Sequence, residues 1–140
     1  LPWWLQGEAT VITNGQAQPV SVNQAGFICI RRTWEDEAVE IELPKGLHAM
    51  ALPDASDIVA FLDGPVVMAG LCDGETILQV DPRRPEAALT PVYELEWYRW
   101  RPGYRTQVRP QGIRFKPLYE VQDERDSVYF YLAPRAKGES

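Results

Sequence analysis

Turn-forming residues divide this sequence into short segments, and that limits what it can fold into. Its 140 residues include 12 prolines and 10 glycines, and no helical periodicity survives more than a few residues. Between the turn signals lie short runs rich in β-branched and aromatic residues, such as EATVIT, FICIRR and SVYFYL. Such runs are typical of a β-sandwich or barrel. We therefore predict an all-β fold, an antiparallel and jelly-roll-like β-sandwich.

The length fits one domain able to bury a core. We expect the β-sandwich region to cover residues 1–132, with a possible subdivision in the irregular stretch 81–92 and a flexible tail at 133–140. The net charge of -6 argues against nucleic acid and anionic membranes as partners. No apolar run approaches the roughly 20 residues of a membrane helix. The chain opens on LPWW without a methionine, which suggests a piece of a longer protein and leaves its cellular compartment open.

Three short segments are predicted to be turns. Asn14–Gly15 is a strong hairpin signal, because both residue types tolerate positive φ. Asp63–Pro65 should turn the chain into the apolar run VVMAGL, and Arg101–Gly103 should form a further hairpin. The strands between these turns define the predicted core. It comprises Val11, Phe27, Cys29, Ile30, Val39, Ile41, Leu43, Phe61, Val66, Val67, Ile77, Val128 and Phe130.

The acidic segment WEDE, residues 34–37, invites a functional interpretation. It separates FICIRR, predicted to be a central strand, from the alternating strand AVEIEL, so it lies where an antiparallel hairpin must turn. A calcium site is the alternative, but calcium takes about six to eight oxygen ligands and one short turn offers few. The residue types favour a solvated turn.

Catalytic signatures are sparse. His48, the single histidine, is predicted to be a partly exposed strand residue without a neighbouring nucleophile. Cys29 and Cys72 could pair or remain buried thiols. Zinc-ligand spacing and phosphate-binding glycine motifs are absent, so we expect no cofactor and no metal in this chain. Twenty acidic residues make some close carboxylate pair inevitable, so a small independent glycosidase stays only a third hypothesis.

The aromatic segment YELEWYRW is more informative. Strand alternation places two sets of side chains on opposite faces: Tyr93, Leu95 and Trp97 on one, and Glu94, Glu96, Tyr98 and Trp100 on the other. Flat rings beside carboxylates can stack on sugar rings, so Tyr98, Trp100 and Tyr104 are candidate carbohydrate-binding residues. The same surface could instead be buried against another domain, where tryptophan and tyrosine are enriched.

Several segments, in order, resemble the region that follows the catalytic barrel in glycoside hydrolase family 127, the β-L-arabinofuranosidase family. They are LPWW, ATVITNG, GFICIRRTWEDEAVEIELP, GPVVMAG and KPLYEVQDERDSVYFYL. The match covers most of residues 1–72 and about 115–132. It departs from the family pattern at Asp36–Glu37, where glycine and aspartate are usual, and across 81–100.

The resemblance implies a role without chemistry of its own. In that family an (α/α)6 barrel carries the catalytic residues and a zinc-bound cysteine cluster, and Cys29 and Cys72 do not match those cysteines. We therefore expect a non-catalytic accessory β-sandwich domain of a glycoside hydrolase, with the absent barrel as its partner and no catalytic residue here. The alternative is a carbohydrate-binding module.

Overall fold

A computed structural model describes residues 1–96, 98–107 and 112–134. The chain divides into two compact units, Leu1–Gly46 and Leu47–Ser140, so the stretch 81–92 lies inside the second unit. Both units contain β-strands, and the described residues include no α-helix, only two 3-10 turns at Pro85–Ala87 and Leu118–Glu120. None of them forms a helix with the length and hydropathy of a membrane span. The predicted tail falls largely outside the described residues, which end at position 134.

The first unit contains a three-stranded antiparallel sheet in the order β2-β1-β3. Its strands are β1 Thr10–Thr13, β2 Gln16–Gln18 and β3 Val39–Glu42. The predicted turn joins β1 to β2, with φ of 48° at Asn14 and 79° at Gly15. Asn14 also fixes the start of β3: its backbone N–H donates to the Ala38 carbonyl at 3.1 Å, and its side-chain oxygen accepts from the Ala38 N–H at 3.2 Å.

The prediction that FICIRR forms a central strand is wrong. Only an isolated bridge between Val22 and Ile28 forms there. WEDE therefore does not connect a hairpin, because β3 pairs with β1, more than twenty residues earlier in the chain. The acids still lie in a bend outside the strands, and the Arg32 Nε to Glu37 Oε2 distance of 2.6 Å closes an ion pair around it.

The second unit contains nine strands in one sheet, counted over the described residues. They are β4 Leu47–Leu52, β5 Ala55–Asp63, β6 Val66–Leu71, β7 Ile77–Leu78, β8 Leu89–Glu96, β9 Arg99–Thr106, β10 Arg114–Pro117, β11 Asp126–Ser127 and β12 Phe130–Leu132. The main path runs β7-β12-β5-β6-β10-β9-β8, while β4 pairs with β5 and β11 with β6. These pairs are antiparallel except β7 with β12. The all-β, mainly antiparallel class is confirmed and fits a sandwich-like fold, whereas the jelly-roll arrangement stays a prediction.

Alternate residues of these strands build the core of the second unit. Its buried members are Leu47, Val59, Phe61, Met68, Leu78, Leu89, Phe115 and Phe130. At the centre, Phe61, Phe115 and Phe130 form a phenylalanine cluster with ring centroids 5.1 to 6.1 Å apart. Gly70 lies against this cluster, and a Cβ there would be 2.6 Å from Phe130 Cζ. The Phe115 and Phe130 rings therefore require glycine at this position.

The predicted core is partly correct. Val11, Phe61 and Phe130 are fully buried, while Ile30, Val39, Val66, Val67 and Val128 are half-buried. Five residues are exposed against prediction: Phe27, Cys29, Ile41, Leu43 and Ile77. Phe27 and Cys29 lie in the segment that forms no strand, and Ile77 lies on a two-residue strand whose neighbour Leu78 faces the core. Alternation identified opposite faces but could not decide which one is covered.

Arg101–Gly103 is not a turn, which is a second correction. The three residues lie inside β9, which pairs with β8 from Leu89↔Thr106 to Glu96↔Arg99. Gly103 is instead required by a close approach, because a Cβ there would be 2.5 Å from the Phe115 carbonyl oxygen of β10. A proline-glycine pair usually marks a turn, but here the glycine serves strand packing.

Candidate functional site

The β8–β9 hairpin presents an aromatic surface that continues the core face of the sheet. Its register pairs Pro91 with Tyr104, Tyr93 with Pro102 and Leu95 with Trp100. Paired residues share a face, so these six side chains define one surface, here called the hairpin face. It follows on from buried Leu89, but towards the hairpin tip nothing in the described chain covers it. Tyr93 is 69% exposed, Leu95 57% and Trp100 69%.

The prediction that Trp100 shares a face with Glu94 is wrong because of the turn at the tip of the hairpin. Strands β8 and β9 join across positions 97 and 98, and Trp97 lies outside the described residues. Because the chain reverses there, Trp100 shares a face with Tyr93 and Leu95 rather than with the glutamates. Tyr98 belongs to the turn, with a φ of 63° and a side chain 98% exposed. A bulky residue in the left-handed region is unusual, so the tip holds a fully solvated ring in a strained conformation.

The opposite face of the hairpin is held by ion pairs. Glu94 Oε1 lies 2.6 Å from Arg105 Nη2 and Glu94 Oε2 lies 3.0 Å from Arg114 Nε. This carboxylate therefore links β8, β9 and β10. Arg101 Nη1 lies 3.0 Å from Glu120 Oε1 in the second 3-10 turn. Charge-assisted contacts that share partners are stronger than isolated surface pairs, so the network fixes the orientation of the hairpin.

Asp63 provides a polar group at the base of the hairpin face. Tyr104 donates a side-chain hydrogen bond to the Asp63 carboxylate, and burial, the Asp63 charge and this bond, in that order, raise the pKa of Tyr104. Tyr93 contributes a smaller effect in the same direction. An aromatic surface with a carboxylate and phenol hydroxyls at one end can pack on an apolar partner or hold a sugar ring.

The three predicted site residues therefore have different positions. Trp100 and Tyr104 share the hairpin face, whereas Tyr98 projects from the tip. Reasoning from the sequence did not include Asp63 in the site, because it lies on β5, about forty residues before Tyr104, and only the tertiary fold brings the two side chains together. Its position directly before the Gly64–Pro65 turn was visible, but no sequence signal linked that turn to the aromatic segment.

The other candidate groups do not assemble a catalytic centre. Among residues 1–96, 98–107 and 112–134, no three His, Cys, Asp or Glu side chains lie close enough to hold a metal ion. His48 lies on β4 and is partly buried, as predicted for a strand histidine. Both cysteines are free, and Cys29 is exposed while Cys72 is half-buried. The expectation of a buried thiol is thus wrong for Cys29.

A small cleft lies near the start of β5, away from the hairpin. Its volume is about 300 Å³, and Ser56, Asp57 and Arg83 line it together with Val80 and Leu132. Asp57 and Arg83 are both exposed. Within the described part of the chain, neither side chain forms an ion pair or hydrogen bond.

These features define the class of molecule as an all-β domain with an exposed aromatic hairpin face. A solved structure of a glycoside hydrolase has a similar fold, with a TM-score of 0.62 and 18% sequence identity. The similarity covers 96% of this chain but only 27% of that protein. No family model matches the sequence, and no curated protein matches it. The chain thus shares its fold with one part of a larger glycoside hydrolase.

Proposed function

We propose that this chain is a non-catalytic accessory domain of a larger glycoside hydrolase, and that its hairpin face packs against the catalytic domain. The observation that carries the proposal is the continuation of the core face into an uncovered row of Tyr93, Leu95 and Trp100. The similarity to about a quarter of a glycoside hydrolase supports the presence of a large neighbouring domain. The sequence resemblance to family 127 makes an (α/α)6 barrel the expected neighbour.

The energetics favour a covered hairpin face. Fully burying one large apolar side chain contributes about 1.5–3 kcal/mol, and aromatic side chains bury about 150–250 Å² each. Tyr93, Leu95 and Trp100 together approach the lower range of interdomain contacts, about 600 Å². The ion pairs on the opposite face already hold the hairpin, so docking requires little ordering of the chain. A rigid apolar face of this size is an interaction surface.

The proposal of a non-catalytic role rests on the residues available. One carboxylate, that of Asp63, lies at the base of the hairpin face, where it accepts a hydrogen bond from Tyr104. Retaining and inverting hydrolysis both require two carboxylates across a cleft. The described residues offer no such pair on this surface, so the chemistry is assigned to the missing catalytic domain.

The test places a charge on the hairpin face in the intact parent protein. Leu95→Asp should loosen the contact, lowering the melting temperature of the catalytic domain and increasing hydrogen exchange in β8 and β9. Leu118→Asp is the matched control, because Leu118 is also exposed, at 42%, but lies in a 3-10 turn outside the hairpin face. Equal behaviour of the two variants would contradict docking through this face.

A carbohydrate-binding module is the second candidate function, and the Asp63–Tyr104 pair, with Tyr104 on the same face as Trp100, favours it. Neutral oligosaccharides would be titrated against the chain while tryptophan fluorescence is recorded. Saturable quenching that Trp100→Ala abolishes and Trp34→Ala retains would establish sugar binding at the hairpin face. Trp34 is a suitable control because it is 56% exposed and lies in the first unit. A flat response would leave the docking role as the better account.

A further inference from the structure

The cleft lined by Ser56, Asp57 and Arg83 combines two features that surface clefts rarely share. Its floor is aliphatic, from Val80 and Leu132, and Pro82 and Pro134 add flat apolar surface. Its rim carries one acid and one base that do not pair with each other. Charged side chains pair elsewhere in the described chain, as in Arg32–Glu37 and Lys116–Glu124, whereas Asp57 and Arg83 stay apart and leave room for a ligand between them.

The strands fix the two sides of this cleft. Asp57 lies on β5, two residues before the buried Val59, while Leu132 ends β12 next to its neighbour Leu78. The Ala133 N–H donates to the Leu78 carbonyl at 2.9 Å, which holds the chain beyond β12 in place. On the other side, Asp81 Oδ1 accepts from the backbone N–H of Arg83 at 3.0 Å, which fixes the turn carrying the guanidinium. The cleft is thus built from ordered backbone.

We infer that this cleft binds a neutral sugar ring. The carboxylate of Asp57 accepts from ring hydroxyls, Arg83 donates to adjacent oxygens in a planar fork, and the Ser56 hydroxyl can do either. The aliphatic floor packs against the apolar C–H face of the ring. The two charged residues of the rim, Asp57 and Arg83, have opposite signs, so the lining carries no net charge.

Charge considerations argue against a zwitterionic amino acid as the ligand. Such a ligand would depend on two solvent-exposed ion pairs, and exposed pairs contribute little to binding. A sugar instead uses several hydrogen bonds and an apolar contact at once. The site is separate from the hairpin face, so the inference is independent of the docking role.

The experiment follows backbone amide signals by NMR in the whole 140-residue chain. Methyl glycosides of neutral pentoses and hexoses are titrated first, with glycine and inorganic phosphate as parallel probes. We expect saturable shifts at Ser56, Asp57 and Ala133 with at least one glycoside, and none with glycine or phosphate. Signals from β8 and β9 should stay unchanged.

Matched variants identify the rim residues. Arg83→Gln should weaken binding about three- to tenfold, the loss expected for one solvent-exposed hydrogen bond, while Arg84→Gln should bind as the parent chain does. Asp57→Asn should weaken binding similarly, and Asp54→Asn, in the β4–β5 turn, should not. Equal affinity in Arg83→Gln and Arg84→Gln would overturn the inference. So would shifts with glycine or phosphate alone, shifts confined to the hairpin, or no shifts with any glycoside.

Discussion

Tyr98 offers the sharpest test, because removing its side chain should stabilise the protein rather than destabilise it. It occupies the left-handed region with a φ of 63°, which costs an L-residue about 1–2 kcal/mol. Glycine adopts this conformation freely but loses about 0.5–1 kcal/mol through greater freedom of the unfolded chain. The ring is 98% exposed, so deleting it removes almost no packing. Tyr98→Gly should therefore stabilise the second unit by about 0.5–1 kcal/mol.

Urea unfolding followed by far-ultraviolet circular dichroism measures this change, together with a rise in melting temperature of about 2–4 °C. Tyr119→Gly is the control: Tyr119 is 75% exposed but has no positive φ, so this variant should lose about 0.5–1 kcal/mol. Destabilisation of Tyr98→Gly to the same extent as the control would refute the strain argument.

The remaining predictions concern the core and two ionisable groups. Gly70→Ala should destabilise the second unit by about 1–3 kcal/mol through overpacking of the phenylalanine cluster, measured by urea unfolding. Hydrogen bonding to buried Lys116 lowers the pKa of Glu124 to about 2. The contact of the ionised Glu124 carboxylate with Lys116 therefore stabilises the fold fully above the ordinary pKa of 4.5, and this stabilisation declines as pH falls towards 2. Glu124→Gln should remove this pH dependence from an acid-unfolding profile. Asp63→Asn should lower the pKa of Tyr104, although burial should keep this pKa above its ordinary value of 10.0. A pH titration of phenolate absorbance measures the change.

Turns were predictable where the backbone preferences of the turn residues themselves determine the conformation. Asn14–Gly15 and Gly64–Pro65 form the expected two-residue connections, because their backbone preferences do not depend on distant residues. The turn at Tyr98 was not recognisable, since tyrosine does not favour positive φ. That omission reversed the face assigned to Trp100. A single turn position thus decided which side chains form the candidate site.

Strand pairing between distant segments was harder to foresee. AVEIEL was correctly predicted as a strand, but its partner is β1 rather than the adjacent FICIRR, because pairing depends on which edge tertiary packing leaves open. Asp63 contacts Tyr104 from a strand that is not adjacent to β9 in the sheet, a relation that no local pattern encodes. The exposed Ile41 and Phe27 show that hydrophobicity alone does not predict burial. A hydrophobic side chain is buried only where other parts of the fold pack against it.

Strand β5 carries a consequence for how the domain would work inside a larger protein. Asp57 lies near its start and Asp63 at its end, six residues apart, which spans at most about 20 Å because the register with β4 shifts between Ala55 and Val59. Val59 and Phe61 anchor the length between them in the core, so this separation is fixed. A protein covering the hairpin end would leave the cleft end open to solvent. Strand β5 would then keep a constant distance between a polysaccharide bound at the cleft and the docked enzyme.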